Sequence, residues 1–318
     1  VSATVGQDTA TKSPAKSRAF LRPAPSSAAV VTALLLVYVL WGSTAPAIRI
    51  AVTSIPPFAM VAIRFAIAGA LLWGWSRVRR TPLPSAREWG GAAVTGIALL
   101  VASNGVFAWT EQFIPSGIGS LFFALAPLWM AIFAYALYRE RLSPLAAFGL
   151  ALGLAGMLYL YSPSGAQHLP AWPTILGVFS SIAWGFGGIL QRRLAGSDLV
   201  QMSGMQMLVA AAVLAIVAAA SGEHLTPAAF TPAATGALAY LIVFGSLVGF
   251  SAFLWLMNNV PTTLASTYSY VNPIVSIAIG VGFLHEHFDA QLAVGSLIIL
   301  AGVAAMVVGR ARRARIPE

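Results

Sequence analysis

The chain of 318 residues contains no cysteine, which excludes disulfides, thiolate metal sites and thiol redox chemistry. Charge is nearly as scarce: 8% of residues are Asp, Glu, Lys or Arg, and only nine are acidic. A soluble protein of this size needs a far more polar surface. The aspartates Asp8, Asp198 and Asp289 are widely separated, so the paired carboxylates that hold a Mg²⁺–diphosphate are missing. The histidines His168, His224, His285 and His287 fall in loops or near helix ends, out of reach of a buried serine, which argues against an intramembrane serine protease. His285-Glu286-His287 has metal-ligand residue types, but its spacing alone makes only a weak surface zinc candidate. No Walker A sequence occurs, so ATP-driven transport by this chain alone has no support. The balance is against an enzyme, with no cofactor and no metal expected.

What is present is apolar: 58% hydrophobic residues, with a mean hydropathy of +0.83. A hydrocarbon core about 30 Å thick takes roughly 20 apolar residues per helix, and the chain supplies ten such blocks. They are 29–51, 57–76, 89–111, 116–138, 143–162, 172–192, 198–220, 234–257, 262–284 and 289–309, separated by Pro and polar clusters such as Ser54-Ile55-Pro56-Pro57 and Val260-Pro261-Thr262. The expected fold class is all-α and integral to the membrane. Residues 1–28, rich in Ser, Ala, Thr, Pro and Lys, read as a disordered tail. The block after them reads as a span rather than a signal peptide, because no convincing cleavage site follows it.

The formal net charge of +9 suggests nucleic acid, but its placement suggests a membrane. With the N-terminus in the cytoplasm, sixteen of the eighteen basic residues fall on that side. They are Lys12, Lys16, Arg18 and Arg22, then Arg77, Arg79, Arg80 and Arg87, then Arg139 and Arg141, Arg192 and Arg193, and finally Arg310, Arg312, Arg313 and Arg315. Arg49 and Arg64 lie within helices, and all four histidines face outward. By the positive-inside rule both termini are cytoplasmic, and 310–318 forms a basic tail.

The halves also repeat. A shift of 146 residues carries Pro115, Pro127, Glu140, Gly149 and Gly156 onto Pro261, Pro273, Glu286, Gly295 and Gly302, and Phe107 and Trp109 onto Phe253 and Trp255. Trp41-Gly42 and Trp184-Gly185 open the two halves at nearly the same offset. Five helices per half is odd, so the expected units, 29–162 and 172–309, must insert in opposite senses. Inverted repeats are a recurrent plan of secondary transporters, which expose a midplane site to each side in turn.

The segment Leu40-Trp41-Gly42-Ser43-Thr44-Ala45-Pro46-Ala47-Ile48-Arg49, the run Ala62-Ile63-Arg64-Phe65, Pro115-Ser116-Gly117 leading to Ala126-Pro127, and the stretch from Pro273 to Glu286 resemble the drug/metabolite transporter superfamily, in particular its two-repeat EamA-type permeases. The resemblance covers roughly 30–309. It implies ten helices around a central cavity lined by the first, third, fourth, sixth, eighth and ninth, with the fifth and tenth peripheral. It also implies export of amino acids, metabolites or drugs across the cytoplasmic (inner) membrane, and leaves the substrate open. The partners are a small solute and the lipid bilayer, not nucleic acid. A passive facilitator or channel stays open as an alternative, since no acid falls near the middle of a span. The oligomeric state does not follow from the residues.

Polar groups in spanning helices are costly and tend to face a cavity or another helix. On the third helix Asn104, Phe107 and Glu111 share a stripe, with Glu111 near the outer end as the best-placed coupling group. Asn104 reads equally as a cavity residue or as a bond to a neighbouring helix. Tyr268, Ser269, Tyr270 and Asn272 precede Pro273, where a broken turn would free a carbonyl; a simple kink is the other reading, for Pro273 and for Pro127. Pro46 is a third candidate kink. Tyr38, Trp41, Ser43, Thr44, Ser120 and Trp184 complete the candidate cavity set, against ordinary core packing. Arg64, about 10 Å below the outer end of its helix at 1.5 Å per residue, is either a structural anchor at the outer mouth or an attractor of a substrate carboxylate. Arg49 reads as an interfacial anchor. Glu140 and Glu286 read as hairpin residues bonding helix ends.

Overall fold

The computed structural model describes residues 26–139, 143–160, 169–194, 196, 198–260, 264 and 267–313. Of the predicted tails 1–28 and 310–318, residues 1–25 and 314–318 lie outside them, as does Glu140, while 27–28 and 310–313 belong to the first and last helices. The described residues form helices α1 (Ser27–Ala51), α2 (Pro57–Val78), α3 (Ala86–Thr110), α4 (Ser116–Tyr138), α5 (Pro144–Leu160), α6 (Ala171–Leu194), α7 (Leu199–Ala220), α8 (Pro232–Met257), α9 (Tyr268–Leu284) and α10 (Ala290–Arg313). Eight of these are long and apolar enough to cross a membrane; α5 and α9 are shorter. At 17 residues each and 1.5 Å per residue they reach about 26 Å, short of a full hydrocarbon core. The fifth and ninth expected spans are thus described only in part, since residues 161–162 of one and 262–263 and 265–266 of the other lie outside the described residues. The predicted span 262–284 begins as a described helix only at Tyr268.

Helix starts follow local chemistry. Ser85 and Glu88 form a capping box at the head of α3, Asp198 caps α7 through the Gln201 amide, and Pro57 occupies the first turn of α2. Two helices are broken near prolines, ahead of the ring rather than at it. The α1 rod breaks at Ser43, three residues before Pro46, and α4 breaks at Leu125, two before Pro127. Proline cannot donate to the carbonyl four residues back, so the ladder loosens upstream. Pro273, by contrast, lies inside α9, which continues through it.

The helices pair as an exchange of halves would require. α2 lies against α7 and α5 against α10, while α1 packs on α8 and α9 just as α6 packs on α3 and α4. The self-matched pairs run antiparallel. Glu223, after α7, accepts from the Phe58 and Ala59 amides that open α2 (3.2 and 2.8 Å), and Gln201, opening α7, donates to Pro82 O beyond the end of α2 (2.9 Å). Gln291, opening α10, donates to Tyr159 O at the end of α5 (2.9 Å). Small residues permit close approach in both pairs. A Cβ on Gly302 would stand 2.6 Å from the Gly153 amide, and one on Gly204 2.8 Å from the Trp73 amide. Backbone irregularities repeat as well. Wide π-helical turns occupy Ile97–Gly105 of α3 and Leu241–Val248 of α8. Arg139 and His285, 146 residues apart, both end their helices with positive φ (57° and 56°).

Candidate functional site

Where α1 meets α8 and α9, a seam of aromatic and polar side chains joins the two halves. The Trp41 ring lies 4.9 Å from Phe253, 5.2 Å from Tyr268 and 6.5 Å from Phe250, measured between centroids. Its Nε1 donates to Gly245 O in the wide turn of α8 (3.1 Å). Tyr268 stands edge-on to both Trp41 and Phe253, and its side chain also interacts with Trp184 on α6. From Trp184 the seam continues to Phe123 (5.6 Å) and on to Phe107 (4.6 Å). Hydroxyls close it laterally: Tyr38 bonds Thr267, and Ser43 Oγ bonds Tyr240 Oη at 2.6 Å. The structure thus brings Tyr38, Trp41, Trp184 and Tyr268 into one cross-half surface, all half-buried.

Other predicted residues are used more locally. Thr44 Oγ1 donates to Trp41 O (2.6 Å) and Ser120 Oγ to Gly117 O (2.7 Å), each within its own helix. Asn104 Nδ2 donates to Leu99 O five residues back (3.0 Å), so its amide closes the wide turn of α3 instead of reaching a neighbouring helix. Tyr270 packs against the α4–α5–α10 core. Asn272 Oδ1 is sealed from solvent without a hydrogen-bond partner. Two clefts in the structure, of about 400 and 660 Å³, lie at Val52–Phe58 with Glu223, and between α1 and α8 near Leu36 and Trp255. Neither contains a predicted cavity residue.

Two groups of charged residues bear on the contacts between the halves. At one end of the bundle Glu286, just beyond α9, accepts from the Ser116 and Gly117 amides at the head of α4 (2.7 and 3.2 Å). This is the helix-end role expected of it, made to a helix of the other half. The same carboxylate faces Arg49 Nε at 3.4 Å. Arg49 Nη1 also donates to Glu111 O and Ile114 O, both at 2.7 Å. Arg49 is therefore a cross-half latch, not only an interfacial anchor. Glu111 sits beneath it, 1% exposed, and neither carboxylate oxygen has a hydrogen-bond partner. Gly119 of α4 packs directly on this carboxylate, beside Phe107. The second group is Arg64 alone in α2, 6% exposed, with Nε donating to Ser246 Oγ of α8 (2.8 Å). Arg64 is thus held inside the bundle and not displayed at an open mouth.

Sequence reasoning missed Tyr240, Phe250 and the Gly245 carbonyl as parts of the seam, and the Arg49–Glu286 pair. The shift of 146 residues flagged Glu286 and Phe253, but it carries no information on which partner from the other half each would meet.

Helix pairs that run antiparallel between the two halves of the chain, an aromatic and polar seam between them, and eight helices long and apolar enough to cross a membrane define an all-helical bundle of membrane type. The model of the EamA-like transporter family matches residues 28–162 and 171–308. The chain belongs to the EamA-like transporter family and is a membrane transporter of the drug/metabolite type. It is 36% identical over 283 residues to the "Uncharacterized inner membrane transporter YedA" of Escherichia coli K12, covering 87% of this chain and 90% of that one. It is 25% identical over 295 residues to the "Probable amino-acid metabolite efflux pump" of Salmonella typhimurium, covering 88% and 95%. A solved crystal structure of a 23% identical protein superposes with a TM-score of 0.62 over 92% of this chain and all of the other, a likeness of fold.

Proposed function

We propose that the protein is a secondary transporter that exports a small organic solute across the cytoplasmic membrane by alternating access, with proton coupling through Glu111. The ten helices are ten spans arranged as inverted five-helix repeats, 29–162 and 172–309, with both termini, the tail 1–28 and the basic tail 310–318 in the cytoplasm. Export is favoured by the efflux function in the name of the Salmonella relative, and the inner membrane by the name of the Escherichia relative.

The observation that carries this reading is the cross-half seam of Trp41, Tyr268 and Trp184. It lies between units whose matched helices are antiparallel, so rocking one half against the other moves its walls apart. Tyr38, Thr44, Asn104, Ser120, Tyr270 and Asn272 border the path, and the breaks near Pro46 and Pro127 let α1 and α4 bend. On the outer side the Arg49–Glu286 latch holds the halves together. A buried carboxylate without hydrogen bonds is costly unless it gains a proton or a cationic partner. Glu111 meets that condition by carrying a proton when the latch is closed and by facing Arg49 when it opens.

The test is uptake of a labelled amino-acid and metabolite panel into proteoliposomes, with and without an imposed pH gradient. Saturable, gradient-stimulated counterflow is the expected result. Saturable flux indifferent to the gradient would make the protein a facilitator, and unsaturable flux without counterflow would make it a channel.

A further inference from the structure

Arg64 is held by one hydrogen bond, from Nε to Ser246 Oγ, and its guanidinium lies 5.3 Å from the Phe65 ring centroid. The ion pair among the described residues is Arg49–Glu286; Arg64 has no carboxylate within pairing distance. Its terminal amino groups have no hydrogen-bond partner among the described residues, yet they are not among the fully sealed atoms. Nη2 packs closely on Gly245, where even a Cβ would be tight at 3.2 Å, with the Thr44 methyl beside it at 3.4 Å. The Gly245 carbonyl is the acceptor for Trp41 Nε1, so this contact adjoins the aromatic seam.

The internal repeat supplies a control. In the other half Gln206 on α7 donates to Thr95 Oγ1 on α3 at 2.7 Å, and both are buried. α7 is the counterpart of α2, and α3 of α8, so this bond ties the same kind of helix pair. It is made by a neutral amide. Tying the helices therefore needs a donor but no charge, and the first half alone keeps a cation with two free amino groups in a low-dielectric site. A guanidinium so placed gains most from a planar, bidentate anion.

We propose that Arg64 is the anion-binding residue of the translocation path and takes the carboxylate of the transported solute. Nη1 and Nη2 donate to the two carboxylate oxygens once the halves part at the Gly245–Thr44 contact, Ser246 fixes the fork through Nε, and Trp41 covers the apolar part of the solute. This rests on the transporter reading above and narrows its substrate class to small organic carboxylates.

The decisive variant is Arg64→Gln, which places here the kind of neutral amide that Gln206 supplies between α7 and α3 and keeps a donor for Ser246. Thermal stabilisation of the purified full chain is measured with a panel of aliphatic and aromatic carboxylates, amino acids among them. Each is set beside its neutral carboxamide, and phosphate monoesters form a third arm. The wild type should be stabilised by at least one carboxylate and not by its carboxamide. Arg64→Gln should melt close to wild type without ligand and bind that carboxylate at least about tenfold more weakly. Arg64→Lys, which keeps the charge and loses the fork, should fall between them. Equal carboxylate binding by wild type and Arg64→Gln overturns the proposal, as does a panel in which no carboxylate stabilises the wild type. Stabilisation by phosphate monoesters alone overturns the carboxylate assignment. If Arg64→Gln unfolds, Arg64→Lys decides: restored melting with unchanged carboxylate selectivity marks a purely structural residue. Carboxylate binding without counterflow would sink the transporter reading and leave the site. Counterflow of neutral solutes with no role for Arg64 would do the reverse.

Discussion

On the proposed alternating-access cycle, Glu286→Gln should open the end of the bundle that carries the Arg49–Glu286 pair. In the closed arrangement the carboxylate accepts from two amides at the head of α4 and faces Arg49 at 3.4 Å. Gln retains one acceptor oxygen for the cap but no charge. The lost charge at a helix N-terminus is worth about 1 kcal/mol. Arg49 is a third exposed, so the pair, screened by solvent, adds about 1 kcal/mol and not the several expected of a fully buried one. If both contacts exist only in the closed state, the loss of about 2 kcal/mol raises the open-to-closed ratio about 30-fold. The absence of cysteine provides the assay. Ser120 is buried one turn inside α4 and bonds only its own helix, so Ser120→Cys places a single reporter thiol with little disturbance. Its reaction with a membrane-impermeant maleimide, measured in right-side-out vesicles under slow-labelling conditions, follows the open fraction. The expected rate is about 30-fold faster in the Glu286→Gln background. Arg49→Gln should give a smaller rise, because the caps on Ser116 and Gly117 remain, and the two changes should be non-additive. A rate within about twofold of the parent would refute the latch.

Three further outcomes are expected. Arg139→Cys and His285→Cys, equivalent corners of the two halves, should label from opposite sides of the membrane; labelling from one side would contradict inverted insertion. Gly302→Leu should lower the melting temperature in detergent, because its Cβ would meet the Gly153 amide at 2.6 Å, an overpacking cost of about 1–3 kcal/mol. Gly74→Leu, with open space around it, should not, and equal losses would mean that close backbone approach is not what the glycine serves. Glu111→Gln should abolish gradient stimulation of uptake while leaving saturable exchange, and retained stimulation would remove Glu111 from coupling.

Much of the architecture was legible before any coordinates. Helix positions follow from apolar blocks about 20 residues long and from Pro and Gly punctuation, and the described helices start within about three residues of the expected positions, α9 excepted. The repeat was visible because equivalent corners need equivalent residues: Arg139 and His285 share one backbone conformation at the predicted shift. The relation of the halves left its trace in small residues such as Gly149 and Gly302, although the sequence does not say that these two touch each other. Of the three candidate kinks, α1 and α4 break upstream of Pro46 and Pro127, at Ser43 and Leu125, where the missing donor frees a carbonyl, whereas α9 continues through Pro273.

The sequence by itself determined the solvent, the number of apolar segments, their rough ends and the twofold plan, since each depends on composition and spacing along one chain. Tertiary structure decided which polar groups meet. Trp41 finds Gly245, Arg49 finds Glu286, Arg64 finds Ser246, and Asn104 turns back on its own helix. Those outcomes depend on helix rotation and register, which wide turns in α3 and α8 shift by fractions of a turn. Contacts between halves separated by more than a hundred residues leave no periodic mark on either partner, so only the folded chain could assign them.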